Sequence, residues 1–84
     1  MVAAPIDDRM YQRLRWRARR GLLENDILLG RFMDAELMNL TSDELNQFDE
    51  LLRMEDNDLM DVLMGRVTVA QPHLVGLVDR IRAA

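Results

Sequence analysis

Apolar residues recur every three or four positions along most of the chain, and no segment alternates convincingly in steps of two. Met10, Leu14 and Ala18 are spaced by four. Leu45, Phe48, Leu51 and Leu52 form a second set, Leu59, Val62 and Leu63 a third, and Leu74, Leu77, Val78 and Ile81 a fourth. Such spacing places each set on one face of an α-helix. A chain of 84 residues without cysteine must fold by burying these faces against one another, with no disulfide to staple them. A chain this short buries only about 60% of its unfolded surface, so it builds one small core. Four glycines and two prolines leave little material for a turn-rich β protein, and Val67-Thr68-Val69 is too short to change that. The expected fold is all-α, a compact bundle of about five short helices in a single domain over 1–84, its ordered core spanning about 6–82.

Local signals place the helices. The first is expected from Ile6 to Arg20, stopped by Gly21 after a basic last turn. The second starts near Leu22, with Glu24 and Asp26 in a first turn whose dipole favours acids. It carries Ile27, Leu28 and Phe32 toward Leu37, with Gly30 a place for a bend. Thr41-Ser42-Asp43-Glu44 reads as a capping box opening a third helix that runs to about Met54. Asp56-Asn57-Asp58 offers the next N-cap, for a fourth helix from Asn57 to Gly65. Pro72 suits the first turn of the last helix.

Charge is segregated along the chain. Residues 1–23 carry six arginines against Asp7 and Asp8, a balance of +4. Residues 24–61 carry twelve acids against Arg31 and Arg53, a balance of -10, and residues 62–84 return to +2. The basic end can dock on an acidic partner or lie against the acidic middle of its own fold. Every one of the eleven cations is arginine, a planar fork suited to carboxylate or phosphate. No run of apolar residues is long enough to span a membrane, and no secretory signal is evident, so a bacterial cytoplasmic protein is expected.

Catalytic and metal-binding chemistry finds few candidates. His73 is the only histidine, so a zinc site would have to draw its remaining ligands from carboxylates. Ser42 falls inside the capping box, and Asp56-x-Asp58 lacks the glycine and the further ligands of a calcium loop. The expectation is no catalytic residue, no metal and no stably bound cofactor. Trp16 lies two residues after Leu14 and therefore off the apolar stripe. It either packs under the second helix or anchors a partner. Arg13, Arg17, Arg20 and Glu24 fall on one polar face if the helix is continuous. The plain reading is a solvated face with an Arg20–Glu24 ion pair, contributing a few tenths of a kcal/mol. The sharper reading uses Gly21: a sharp corner there gathers an arginine, a bare backbone and a carboxylate into a patch that grips another protein.

The run from Trp16 to Asp26, containing Arg20-Gly21-Leu22-Leu23-Glu24, resembles the R-G-x-x-E signature of the SdhE-type flavinylation factors, the succinate dehydrogenase assembly factor 2 family. Arg20, Gly21 and Glu24 match the motif, and Asp26 matches an acid often found two residues later. Leu40 to Glu44 is similar to the family's L-[ST]-x-x-E helix start, and Asp56 to Leu59 to its D-x-D-L segment. Val62 departs from the pattern, standing where many members carry tryptophan.

The resemblance implies a five-helix, chaperone-like factor without turnover of its own. It would bind the flavoprotein subunit of succinate dehydrogenase, and of fumarate reductase as a possible second client, and promote covalent attachment of FAD to a histidine there. Arg20, Gly21, Glu24 and Asp26 would then contact the partner, with Arg13, Arg17 and Trp16 extending the contact. The expected state is a monomer that binds no nucleic acid. Two rival readings are an Arg-rich module for nucleic acid and an antitoxin-like regulator that binds another protein.

Overall fold

The computed structural model describes residues 8–19 and 21–84. Ile6, Asp7 and Arg20 lie outside the described residues, so the expected start of the first helix and the Arg20–Glu24 pair do too. Five α-helices follow one another: α1 (Asp8–Arg17), α2 (Leu23–Glu36), α3 (Ser42–Leu51), α4 (Asp56–Leu63) and α5 (Val75–Ala83). Short 3₁₀ turns, Leu37–Asn39 and Pro72–Leu74, extend α2 and introduce α5. No strand occurs among the described residues, and Val67 to Val69 form part of the α4–α5 connection.

The longest helix, α2, is the central element and packs against α4 and α5. Its buried side chains are Asn25, Leu29, Phe32 and Met33. Phe32 meets Phe48 of α3 with ring centroids 5.4 Å apart at an interplanar angle of 54°. Such tilted pairs contribute about 0.5–1.5 kcal/mol beyond their buried area. Leu14 and Ala18 bring α1 onto the same core. The expected inward residues of α3, α4 and α5 are all buried: Leu45, Phe48, Leu51 and Leu52; Leu59, Val62 and Leu63; Leu74, Leu77, Val78 and Ile81.

The helix ends follow local chemistry, with informative differences. The Thr41 hydroxyl accepts from the Glu44 amide at 3.2 Å, and Glu44 Oε1 accepts from the Thr41 amide at 2.9 Å, completing the capping box. At the end of α4 Gly65 adopts φ +77°, where its missing Cβ removes the left-handed penalty. The Gly65 amide donates to the Val62 carbonyl at 3.1 Å and the Arg66 amide to the Asp61 carbonyl at 2.8 Å, a Schellman motif. α1 stops at Arg17, short of the expected Arg20. Its last turn tightens there: the Arg19 amide reaches back only three residues, to the Trp16 carbonyl at 3.2 Å. α3 likewise ends at Leu51 rather than Met54. The N-cap of α4 is Glu55, whose side chain makes no cap bond, rather than a residue of Asp56 to Asp58. Acids at Asp56 and Asp58 in the first turn serve the helix dipole instead. Gly30 does not interrupt α2.

Two polar joints orient α2. At its C-terminal end Arg80 of α5 donates to Glu36 at 2.6 Å and also to Glu44, and its guanidinium sits 6.0 Å from the Phe32 ring centroid. Glu44 thus serves the capping box with one oxygen and Arg80 with the other. The Thr41 amide, with Arg80 adding its charge, holds the Glu44 carboxyl below its ordinary range against a smaller opposing effect of burial. At the N-terminal end the fully buried Asn25 donates its amide to the Asp56 carbonyl at 3.4 Å, linking α2 to α4. Its Oδ1 has no hydrogen-bond partner among the described residues.

Glu44 titrates lower in the folded chain than in the unfolded one. Its contribution is therefore present above the unfolded value and lost as pH falls through the folded one. Thermal melts of the wild type and Glu44→Gln are expected to differ most near neutrality and to converge in acid; a difference independent of pH contradicts the assignment. Asn25→Asp buries a carboxylate against the Asp56 carbonyl. It is expected to cost on the order of 3 kcal/mol at neutral pH, with part of the loss recovered on acidification. Urea denaturation at two pH values measures both.

Candidate functional site

Between α1 and α2 the chain turns at Gly21. Gly21 takes φ +77° and is exposed, and a Cβ built on it would meet nothing within 4 Å. Its role in the folded chain is therefore conformational, and the space around it is open. Leu22 caps α2 through its backbone alone, accepting from the Asp26 amide at 2.9 Å. Glu24 and Asp26 lie in that first turn as expected, Glu24 exposed and Asp26 half-buried.

Large apolar side chains remain in solvent on both sides of the corner. Trp16 is 75% exposed and Leu23 is 73% exposed, with Ile27 one turn further along α2 at 43%. Trp16 follows buried Leu14 by two positions, about 200° around the helix, so burying Leu14 turns the indole outward. Of the two readings open for Trp16, packing beneath α2 is excluded.

The arginines divide into two groups. Arg15 pairs with Asp34 of α2 at 2.9 Å and lies 5.8 Å from the Tyr11 ring centroid. Arg17 pairs with Asp49 of α3, which also accepts from Arg53 at 3.1 Å. The acidic middle of the chain thus takes up part of the basic end. Arg13 and Arg19 are exposed and form no ion pair among the described residues. Arg13 and Arg17 share a face of α1, but Glu24 belongs to a different helix, so the continuous four-residue polar face does not form.

Two grooves border Trp16. One is lined by Trp16, Arg17, Arg19, Leu52 and Arg53. The other runs between α1 and α2, with Arg15 and Gln12 on one wall and Asp26, Gly30 and Met33 on the opposite one. Trp16 and Arg19 belong to both. Sequence spacing singled out Trp16 and Arg17, and the family resemblance Asp26. Neither gave a role to Asp49, Arg53 or Asn25. Asp49 and Arg53 are separated by four positions, which marks a helical ion pair; Asn25 precedes Leu29 by four, which marks a polar residue on an apolar stripe.

His73 lies in the 3₁₀ turn before α5, with Nε2 2.9 Å from Glu50 Oε1. Among the described residues no three of His, Asp and Glu converge in a metal-ligating arrangement, and no helix is long and apolar enough to cross a membrane.

Residues 12–84 match the family described as flavinator of succinate dehydrogenase. A protein of Ralstonia nicotianae named FAD assembly factor SdhE is 48% identical over 60 residues, covering 71% of this chain and 63% of that protein. Proteins of the same name are 38% identical over 71 residues in Coxiella burnetii and 45% identical over 60 residues in Legionella pneumophila. The Coxiella alignment covers 84% of this chain and 87% of its relative, and the Legionella alignment 71% and 76%. No solved structure matches the chain. With the match running from α1 to the end of α5, the chain belongs to the flavinator of succinate dehydrogenase family.

Proposed function

We propose that this chain promotes covalent attachment of FAD to a histidine in the flavoprotein subunit of succinate dehydrogenase, by docking on that subunit before it matures. The observation that carries the reading is the α1–α2 corner. It is an open glycine at φ +77° in a segment that matches the family's R-G-x-x-E motif, with Trp16 and Leu23 left in water nearby. Membership of the flavinator of succinate dehydrogenase family supports this choice of client.

In this reading the chain supplies shape and hydrogen bonds rather than a reacting group. Gly21 lets partner backbone approach the corner closely. Arg20 and Glu24 hold that backbone or its side chains, Asp26 supports the turn, and Trp16 anchors the contact. Arg13 adds steering charge. Arg17 acts mainly by fixing α1 through Asp49. Holding the client's histidine and flavin in near-attack geometry accelerates a bond that the flavoprotein and its FAD form themselves. The factor then acts as a monomer in the bacterial cytoplasm, retains no FAD and performs no turnover. Fumarate reductase, whose flavoprotein undergoes the same chemistry, is a second client.

The test starts from deletion of the gene and ultraviolet imaging of the membrane flavoprotein on a denaturing gel. The fluorescent band of covalent flavin is expected to vanish and to return with the wild-type gene. Gly21→Arg is expected to leave it absent. Any side chain at φ +77° introduces strain of about 1–2 kcal/mol, so Gly21→Asn is the control, since asparagine tolerates the left-handed region best. Circular dichroism should show both variants helical, with Gly21→Asn retaining more activity than Gly21→Arg. An unchanged band in the deletion strain, or full flavinylation with Gly21→Arg, contradicts the proposal.

A further inference from the structure

The groove on the α3 side of Trp16 has a feature that the R-G-x-x-E corner does not use. Arg17, Arg19 and Arg53 line it together with Trp16 and Leu52, in a volume of ≈ 600 Å³. Two of the three arginines, Arg17 and Arg53, share one carboxylate, Asp49, whose side chain is 15% exposed. Its two oxygens are divided between Arg17 and Arg53. Each guanidinium carries five N–H donors, and Asp49 accepts one from Arg17 and one from Arg53. Arg19 adds a third cation with no ion pair among the described residues. The charge runs against the acidity of the chain as a whole, which is -4.

We propose that this groove receives an acidic segment of the partner protein, a carboxylate side chain flanked by an apolar residue. The carboxylate would lie between Arg19 and Arg53, and its apolar neighbour would cover the Trp16 indole above Leu52. Arg17 and Arg53 already hold one carboxylate, that of Asp49, between them. A bare anion would satisfy the guanidinium groups and leave the indole in water; an acidic and apolar segment satisfies both. The inference deepens the functional reading by naming the chemistry of the partner's contact, and in that respect rests on it. It also commits to a surface formed by the C-terminal ends of α1 and α3 and the residues that follow them.

Trp16 is the only tryptophan, so fluorotryptophan incorporation gives one fluorine NMR signal at the groove. The full chain is titrated with a blocked Asp-Leu-Glu-Leu peptide, the neutral Asn-Leu-Gln-Leu peptide and inorganic phosphate. The acidic peptide is expected to shift the signal and the neutral one to leave it in place. Arg53→Gln is expected to weaken the acidic peptide about five- to tenfold, and the double variant Arg19→Gln, Arg53→Gln to abolish the shift. Raising salt from about 0.05 M to about 0.5 M should weaken it as well. No response to the acidic peptide, an equal response to the neutral one, or the same shift with phosphate alone overturns the proposal.

A second arm uses the purified flavoprotein subunit of succinate dehydrogenase from the same cell. If it binds the wild type and Arg53→Gln equally, while Gly21→Arg abolishes binding, the groove proposal fails and the functional reading stands. If the subunit does not bind at all while the acidic peptide does, the functional reading fails and the groove stands. Circular dichroism of each arginine variant guards against loss of the fold, and the exposed Arg53 side chain makes that loss unexpected.

Discussion

Phe32 is the point on which the bundle turns. Its ring is fully buried in the middle of α2, tilted against Phe48 of α3 and covered by the guanidinium of Arg80 from α5. The same guanidinium binds Glu36, the last residue of α2, and Glu44, the acid of the capping box of α3. One side chain therefore spans three helices. Its ion pairs are partly exposed and individually modest. Their importance is geometric, because they fix the direction of α2, and α2 fixes the direction of the corner at its other end. Asn25 completes the constraint by tying the start of α2 to the start of α4. A helix held at both ends presents its first turn, Glu24 and Asp26, in one orientation.

The position of α1 follows from that frame. The helix buries Leu14 on the core, and Ala18 just beyond its end is buried there too. Arg15 and Arg17 then meet Asp34 and Asp49, which α2 and α3 already hold in place. Once Leu14 points inward, Trp16 has to point outward. The chain thus exposes a large apolar side chain as a consequence of its own core, beside cations that the fold has not fully neutralised. The buried Leu14 and the exposed Trp16 lie on opposite sides of a single helix of ten residues.

Features written in local chemistry were legible in the sequence. The capping box at Thr41, the stop at Gly65, the proline before α5 and the inward faces of α3 to α5 each depend on residues a few positions apart. The capacity of Gly21 to turn a corner was legible for the same reason. The end of α1 was not. A glycine marks where a helix cannot continue, but the helix ends where its last turn tightens, at Arg17 and Ala18. The N-cap of α4 was misplaced because three polar residues in succession each resemble a cap. Partners such as Arg17 with Asp49 and Arg80 with Glu36 join residues 32 and 44 positions apart. No spacing rule reaches that far, so the division of the arginines between fold and surface emerged only from the packing.

Arg17 shows why that division matters for assigning roles. Its guanidinium lines the groove beside Trp16, and it also carries the ion pair that fastens α1 to α3. Removing it would alter the contact surface and the position of the helix presenting that surface, and one measurement could not separate the two. Arg19 and Arg53 differ from it in kind. Arg19 is exposed beyond the end of α1, and Arg53 shares Asp49 with Arg17, so the clamp on α1 survives without Arg53. Gly21 differs again, since its surroundings are empty and its effect on the free chain is confined to the backbone. A contact surface built on a helix that is itself held by charge is best read from residues at its edge. There the fold makes the fewest demands, and a lost interaction reports on the partner rather than on the chain.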